Sequence, residues 1–215
     1  MGAYVTKKTT VCAALDWPKK LQNLIDAGAD VNWRDERGFN ALHLACSRCN
    51  LKSLQVLLKN NADPNAFVTE GAHAIHLLIG ASQIWQDKGC VEEMLQLLLE
   101  KGIDINVRQN GPNGWTALHI ATFHLKENLV KVLLANGANP NIEDLNDGSV
   151  ALHMAARFDH LGIVKLLVKS GGEVDPENNN GSTPFALAKF LGSSEEILDI
   201  LLANGAKEVK FLGEG

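Results

Sequence analysis

Side chains able to do chemistry are plentiful in this chain, so the first question is whether any stand at a spacing that a reaction needs. Seven histidines offer imidazole for metal ligation or proton transfer. Cys46-Ser-Arg-Cys49 has the spacing of half a zinc or redox site, because two thiolates three positions apart can converge on one ion. Met1-Gly2-Ala-Tyr-Val-Thr6 fits the minimal pattern for N-myristoylation of Gly2, and Lys7-Lys8 behind it would add attraction to anionic lipid. Without the modification this segment is an unstructured leader. No His-Glu-x-x-His, Gly-x-Ser-x-Gly, Gly-x-Gly-x-x-Gly or Walker pattern occurs, and no second Cys-x-x-Cys follows the first. The expectation is no catalytic residue, no metal and no cofactor.

The histidines explain themselves once the elements that carry them are considered. His43, His76, His119 and His153 lie 33, 43 and 34 residues apart and close one recurring pattern. Its copies are Gly38-Phe-Asn-Ala-Leu-His43, Gly71-Ala-His-Ala-Ile-His76, Gly114-Trp-Thr-Ala-Leu-His119 and Gly148-Ser-Val-Ala-Leu-His153, with Gly181-Ser-Thr-Pro-Phe-Ala186 as a diverged fifth. A second motif alternates with it, as in Leu24-Ile25-Asp-Ala-Gly28-Ala-Asp-Val-Asn32 and Leu133-Leu134-Ala-Asn-Gly137-Ala-Asn-Pro-Asn141.

Leu42, Ala45 and Cys46 share one helical face, and Leu54, Leu57 and Leu58 resume helical spacing after a break at Cys49-Asn50. Each unit therefore reads as a pair of short antiparallel helices. Gly28, Gly102, Gly137, Gly171 and Gly205 end the second helices, where a left-handed residue is expected, and Asn61 stands there once. One helix pair cannot bury its own apolar face, so neighbours must stack and the end units need polar outer surfaces. Pro18-Lys19-Lys20 with Gln22-Asn23, and Ser193-Ser194-Glu195-Glu196, are the expected polar surfaces.

These coupled motifs resemble the ankyrin repeat over roughly residues 9–208. The resemblance implies an all-α, ankyrin-repeat solenoid of stacked antiparallel helix pairs with hairpin loops. It divides the chain into a leader (1–8), a single repeat domain and a tail (209–215). Within the domain it sets an N-terminal capping repeat at 9–34, full repeats at 35–67, 68–110, 111–144 and 145–177, and a C-terminal capping repeat at 178–208. In that family the repeated histidine ties the first helix to the neighbouring loop. Stacked helices about 8–10 Å apart cannot bring such histidines onto one zinc, which holds each nitrogen at about 2 Å. In register, Cys12 and Cys46 fall on small core positions and Cys49 on that of the turn glycine.

The formal net charge of −5 and pI near 5.8 supply no broad positive field for nucleic acid. The longest apolar runs are a few residues, far short of a membrane span. Four cysteines in a chain this long suit a reducing compartment, cytosol or nucleus, better than a disulfide framework.

The family's variable surface lies on the hairpin tips and first-helix ends of one concave side. Carried onto this chain it includes Arg34, Glu36, Arg37, Phe39, Ser47, Arg48, Phe67, Thr69, Glu70 and Arg108. It continues with Asn113, Trp115, Phe123, His124, Asn146, Asp147, Ser149, Arg157 and Phe158. All five arginines fall on this surface while the fifteen lysines lie elsewhere, and interfaces are enriched in Arg and aromatics and depleted in Lys. The opposing reading is that the arginines pair with Glu36, Glu70 and Asp147 across adjacent tips. An insertion near Ile79 to Gly89 carries Trp85, a candidate second anchor, and the loop Arg108 to Gly114 is two residues longer than its counterparts.

The resemblance implies a non-catalytic interaction module or adaptor for a protein or peptide, and the arginines and aromatics of the strip point to a partner presenting acidic or phosphorylated groups beside apolar side chains. Two alternatives stand beside it. The first is a regulator that inhibits or targets an enzyme, including a bacterial or viral effector in host cytosol. The second is a substrate of an asparaginyl hydroxylase, since Leu24 to Asn32 resembles that enzyme's ankyrin pattern, with Asn32 as its target. A monomer is expected. Because zinc is not, a strong chelator should leave the unfolding temperature unchanged, and a large fall would restore the Cys46/Cys49 site.

Overall fold

The structure is a computed structural model that describes residues 11–81 and 90–208. Backbone contacts divide the chain into two compact units, Met1–Gly111 and Pro112–Gly215. In the first, a helical turn at residues 11–13 precedes α1 (Pro18–Asp26), α2 (Ala41–Ser47), α3 (Leu51–Lys59), α4 (Ala74–Ala81) and α5 (Cys90–Glu100). In the second come α6 (Ala117–Phe123), α7 (Glu127–Ala135), α8 (Ala151–Arg157), α9 (Leu161–Lys169), α10 (Pro184–Leu191) and α11 (Glu195–Ala203).

Each short first helix packs on the longer second helix that follows it. In the first unit α2 also lies against α4, and α3 against both α1 and α5. In the second, α6, α8 and α10 form one row and α7, α9 and α11 another. The packing follows from residue size. First helices bury small residues such as Ala45, Cys46, Ala121, Ala155 and Ala156, which let backbones approach. Second helices bury a branched stripe, for example Leu54, Leu57 and Leu58 in α3 or Ile163, Val164 and Leu167 in α9.

The connecting hairpins are zipped by single backbone bonds: Thr69 N–H to the Arg37 carbonyl at 2.9 Å, Leu145 N–H to Asn113 at 2.7 Å, and Asn179 N–H to Asp147 at 2.7 Å. Among the described residues the β pairing is one isolated antiparallel bridge, Phe67 to His73. Asparagines add a second clamp. Asn141 Nδ2 donates to the Gly171 carbonyl at 3.1 Å while its Oδ1 accepts from Glu173 N–H at 2.7 Å, and Asn32 does the same with Asn61 (3.2 Å) and Asp63 (2.8 Å).

In the end units Lys19, Lys20, Ser194, Glu195 and Glu196 are exposed, and so are several apolar side chains. Trp17 is 58% exposed, and Phe190, Leu191 and Leu202 are exposed as well. The α10–α11 pair has no following pair among the described residues to cover its far side.

At the end of α7, Gly137 has φ +89°, and Asn61 holds the equivalent left-handed turn after α3 at φ +62°. The turn between first and second helices is left-handed too, at Cys49 (φ 49°), Leu125 (φ 56°) and Asp159 (φ 53°), where the side chains are not glycine. A Cβ on Gly137 would meet nothing within 4 Å, so any cost of adding one is backbone strain alone. Gly137→Ala should lower stability by about 1 kcal/mol. Gly111→Ala, outside the left-handed range with its nearest neighbour 4.0 Å away, should leave it unchanged or slightly raised in the same denaturation experiment.

Candidate partner-binding site

The geometry of the hairpins is set by how the first helices begin. Asn40 Oδ1 accepts from the His43 N–H at 2.9 Å, and His43 Nδ1 accepts from the Asn40 N–H at 3.2 Å, a reciprocal cap of α2. With Nδ1 an acceptor, Nε2 carries the proton and donates to the Ala66 carbonyl at 2.9 Å in the following hairpin. His76 repeats this between the His73 N–H (3.0 Å) and the Val107 carbonyl (3.0 Å), and His153 between the Val150 N–H (3.1 Å) and the Ser182 carbonyl (2.9 Å). His119 Nδ1 takes the Thr116 N–H at 3.3 Å and lies 2.9 Å from its hydroxyl. Both ring nitrogens of His43, His76 and His153 are committed to backbone, which gives these residues a structural role and leaves no lone pair for a metal.

Burial pushes His43 and His153 below the usual imidazole range. The bond to the Ala66 carbonyl opposes this at His43 while Arg34 and His73 reinforce it, and the Ser182 carbonyl with Asp147 opposes it at His153. Burial likewise pushes the Cys46 thiol up. Cys12, Cys46, Cys49 and Cys90 form no disulfide, and Cys46 is fully enclosed, as a small core residue would be.

In the second unit the expected site residues come together. Trp115 packs against Phe123 at a tilt of 44° with ring centroids 4.9 Å apart, and Phe123 meets Phe158 edge to face at 5.6 Å. His124 joins the other side of Phe123 at 5.1 Å. Trp115, Phe123 and Phe158, with Met154 and Leu187, wall a cavity of about 490 Å³ whose polar lining includes Asp144, Asp147, Asn178 and Arg157. Phe123 and Phe158 remain 41% and 40% exposed, so this apolar wall is open to solvent.

Asp144 was not among the residues expected at the site, yet it organises it. Its Oδ1 accepts from the Asn146 and Asp147 N–H groups at 3.1 and 3.0 Å, bending the loop. Its Oδ2 lies 3.4 Å from Trp115 Nε1, fixing the indole. The signal for it was an Asp two residues before Asn146, the position of an Asx turn. Trp115, half-buried and tethered, belongs partly to the fold. Phe158 is the cleaner surface group.

In the first unit the aromatics are joined to arginines instead. The Arg34 guanidinium lies over the Phe67 ring at 5.7 Å and Arg37 over Phe39 at 5.2 Å. Phe67, half exposed, also touches His73. The pairing with Glu36, Glu70 and Asp147 weighed from sequence is not what forms. Arg34 meets Asp63 at 3.8 Å, both side chains well exposed, a geometry worth little in stability. Arg37, Arg48, Arg108 and Arg157 make no ion pair with a described residue. Arg48 is exposed at the end of α2 and Arg108 half-buried in its long loop. Asn32 spends its amide on the next hairpin. Trp85 and Gly2 lie outside the described residues.

Comparison with known proteins agrees with this architecture. Family models described as ankyrin repeats match residues 86–144 and 126–210 (three copies) and 24–78 (many copies). The B-cell lymphoma 3 protein homolog of Mus musculus is 32% identical over 194 residues, 88% of this chain and 40% of that protein. The nuclear factor NF-kappa-B p105 subunit of Gallus gallus is 30% identical over 161 residues, 74% of this chain and 16% of that one. The chain thus spans well under half of each of these relatives. Among solved structures, the ankyrin repeat domain of Bcl-3, described as a unique member of the IkappaB protein family, aligns with a TM-score of 0.77 and 31% identity. The alignment covers 89% of this chain and 81% of that one.

The depressed histidines tie stability to pH. His43 and His153 take a proton more readily in the unfolded chain, where imidazole titrates near about 6.5, than in the fold. Their contribution is complete above that pH and is lost as pH falls toward their lower folded values. Thermal unfolding followed across this window should give a Tm that is level above about pH 7 and declines below about pH 6.5. A Tm that rises on acidification through this range would contradict the neutral, doubly bonded imidazoles.

Proposed function

The chain belongs to the ankyrin-repeat family, and on that premise we propose that it is a non-catalytic module that binds a partner protein or peptide with its hairpin tips and first-helix ends. The observation that carries the reading is the wall formed by Trp115, Phe123 and Phe158 beside Arg157. Three touching aromatic rings left open to water are an apolar patch that a partner would cover. Aromatic and arginine side chains are also the ones that most often carry interface energy.

The partner's chemistry follows from the groups left over. Arg157 and Arg37 make no ion pair with a described residue, so an acidic or phosphorylated side chain can take the planar fork in two parallel bonds while an apolar neighbour lies on the rings. Asp147 uses Oδ1 on the Ser149 N–H at 3.1 Å, which leaves its second oxygen to accept from a backbone amide of the bound segment. Free thiols and an enclosed Cys46 are consistent with work in a reducing compartment, cytosol or nucleus. Among the described residues no helix is long and apolar enough to cross a membrane.

Affinity capture followed by titration of the purified partner tests the reading. Phe158→Ala should weaken binding by about 2 kcal/mol, roughly thirtyfold. Arg157→Lys and Arg37→Lys keep the charge but lose the fork, and should act through faster dissociation more than slower association. Wild-type affinity in all three, with loss of binding in Trp85→Ala, would move recognition to the insertion.

A further inference from the structure

The second helices carry a different chemistry from the tips. Along α3, Lys52, Gln55, Val56 and Lys59 stand at i, i+3, i+4 and i+7 and therefore share one stripe, beside the buried stripe of Ser53, Leu54, Leu57 and Leu58. That outer stripe faces Pro18, Lys19 and Gln22 of α1 across an open groove of about 380 Å³. Two helical turns separate Lys52 from Lys59, about 10 Å along the axis. Half-buried Pro18 and Val56 give the groove apolar surface. At one end Asn60 Nδ2 donates to Gln22 Oε1 at 2.9 Å, holding α1 and α3 in register.

The groove's walls contain three ammonium groups and no carboxylate, in a chain whose net charge is −5. Two acids near it, Asp26 and Glu93, take amide donors, Gln22 Nε2 to Asp26 at 2.7 Å and Gln55 Nε2 to Glu93 at 3.4 Å, and neither forms an ion pair with the groove's lysines. Lys19, Lys52 and Lys59 are exposed and make no ion pair with a described residue. A flat anionic bilayer laid on these helices would also meet exposed Asp26, Glu92 and Glu93. A narrow segment seated in the groove meets the lysines first.

From this charge reversal and spacing we infer that the α1–α3 groove is a second interaction surface, one that takes an acidic helical segment of a partner protein. Carboxylates two turns apart sit on Lys52 and Lys59, a third reaches Lys19, and an apolar side chain between them covers Val56 and Pro18. The attraction is exposed and therefore salt-sensitive.

The test uses the full chain and an alanine-based helical peptide labelled with fluorescein, carrying glutamates about seven residues apart and a leucine between them, with a glutamine version as comparator. By fluorescence anisotropy the glutamate peptide should bind, weaken as salt rises, and exceed the glutamine peptide by about tenfold. The variant Lys52→Gln, Lys59→Gln should lose about tenfold. Lys165→Gln, Lys169→Gln on α9 and Phe158→Ala should change nothing, which separates this surface from the proposed tip site. Equal binding of the two peptides, full affinity in the Lys52/Lys59 variant, or an equal loss in the Lys165/Lys169 variant overturns the inference. So does binding to phosphatidylcholine–phosphatidylserine vesicles without binding to the peptide, which would make the groove a lipid surface.

Discussion

A buried carbonyl deprived of its donor costs about 1–3 kcal/mol, and in this protein the buried carbonyl of Ala66 and the partly buried ones of Val107 and Ser182 are served by imidazoles from the preceding helix pair. The same imidazoles accept, through Nδ1, the N–H that opens their own helix. One neutral ring thus fixes a helix start and a neighbouring hairpin at once. A second ring proton would turn Nδ1 from acceptor to donor and break the cap bond, although Nε2–H would still serve the carbonyl. That requirement gives the recurring histidine a structural role, and the enclosure that lowers the pKa of His43 and His153 favours the neutral ring the cap needs.

In the hairpins after α3 and α9, pinned at the base by His43 and His153, at the amide clamp by Asn32 and Asn141, and at the tip by one backbone bond, the tip side chains are relieved of holding the loops together. They can differ from repeat to repeat without loss of fold. Trp115, Phe123 and Phe158 gather in one unit, while Arg34 with Phe67 and Arg37 with Phe39 gather in the other. Rigid placement also lowers the ordering cost of binding, since only side chains and not loops need to be fixed.

What could be read from the sequence was whatever depends on local backbone geometry. Histidine at a fixed place after glycine in four copies, glycine or once Asn61 after the second helices, and asparagine closing four of the turns report recurring φ, ψ and cap requirements, and the structure realises them at His43, Gly137 and Asn141. Contacts between long side chains were not legible in this way. Arg34 chose Asp63 rather than Glu36 or Glu70, because a guanidinium on several rotatable bonds is placed by small differences in exposed surroundings. The tie from Trp115 to Asp144 was hidden for another reason: it depends on how two hairpins of different length align, which no single repeat specifies.

The lysines show the same divide from the other side. Their i and i+7 spacing in α3 is plain in the sequence, but it becomes a groove only because Leu54, Leu57 and Leu58 lock the inner face and α1 lies alongside. Arg34 and Arg37, planar and weakly hydrated, lie over the Phe67 and Phe39 rings, whereas Lys52 and Lys59, strongly hydrated point charges, sit along α3 without an ion pair to a described residue. In the first unit the two cations therefore mark two surfaces. A contact made by stacking and forked bonds at the tips would be short-ranged and specific, whereas one made by ammonium groups on the second helices would be longer-ranged and governed by salt.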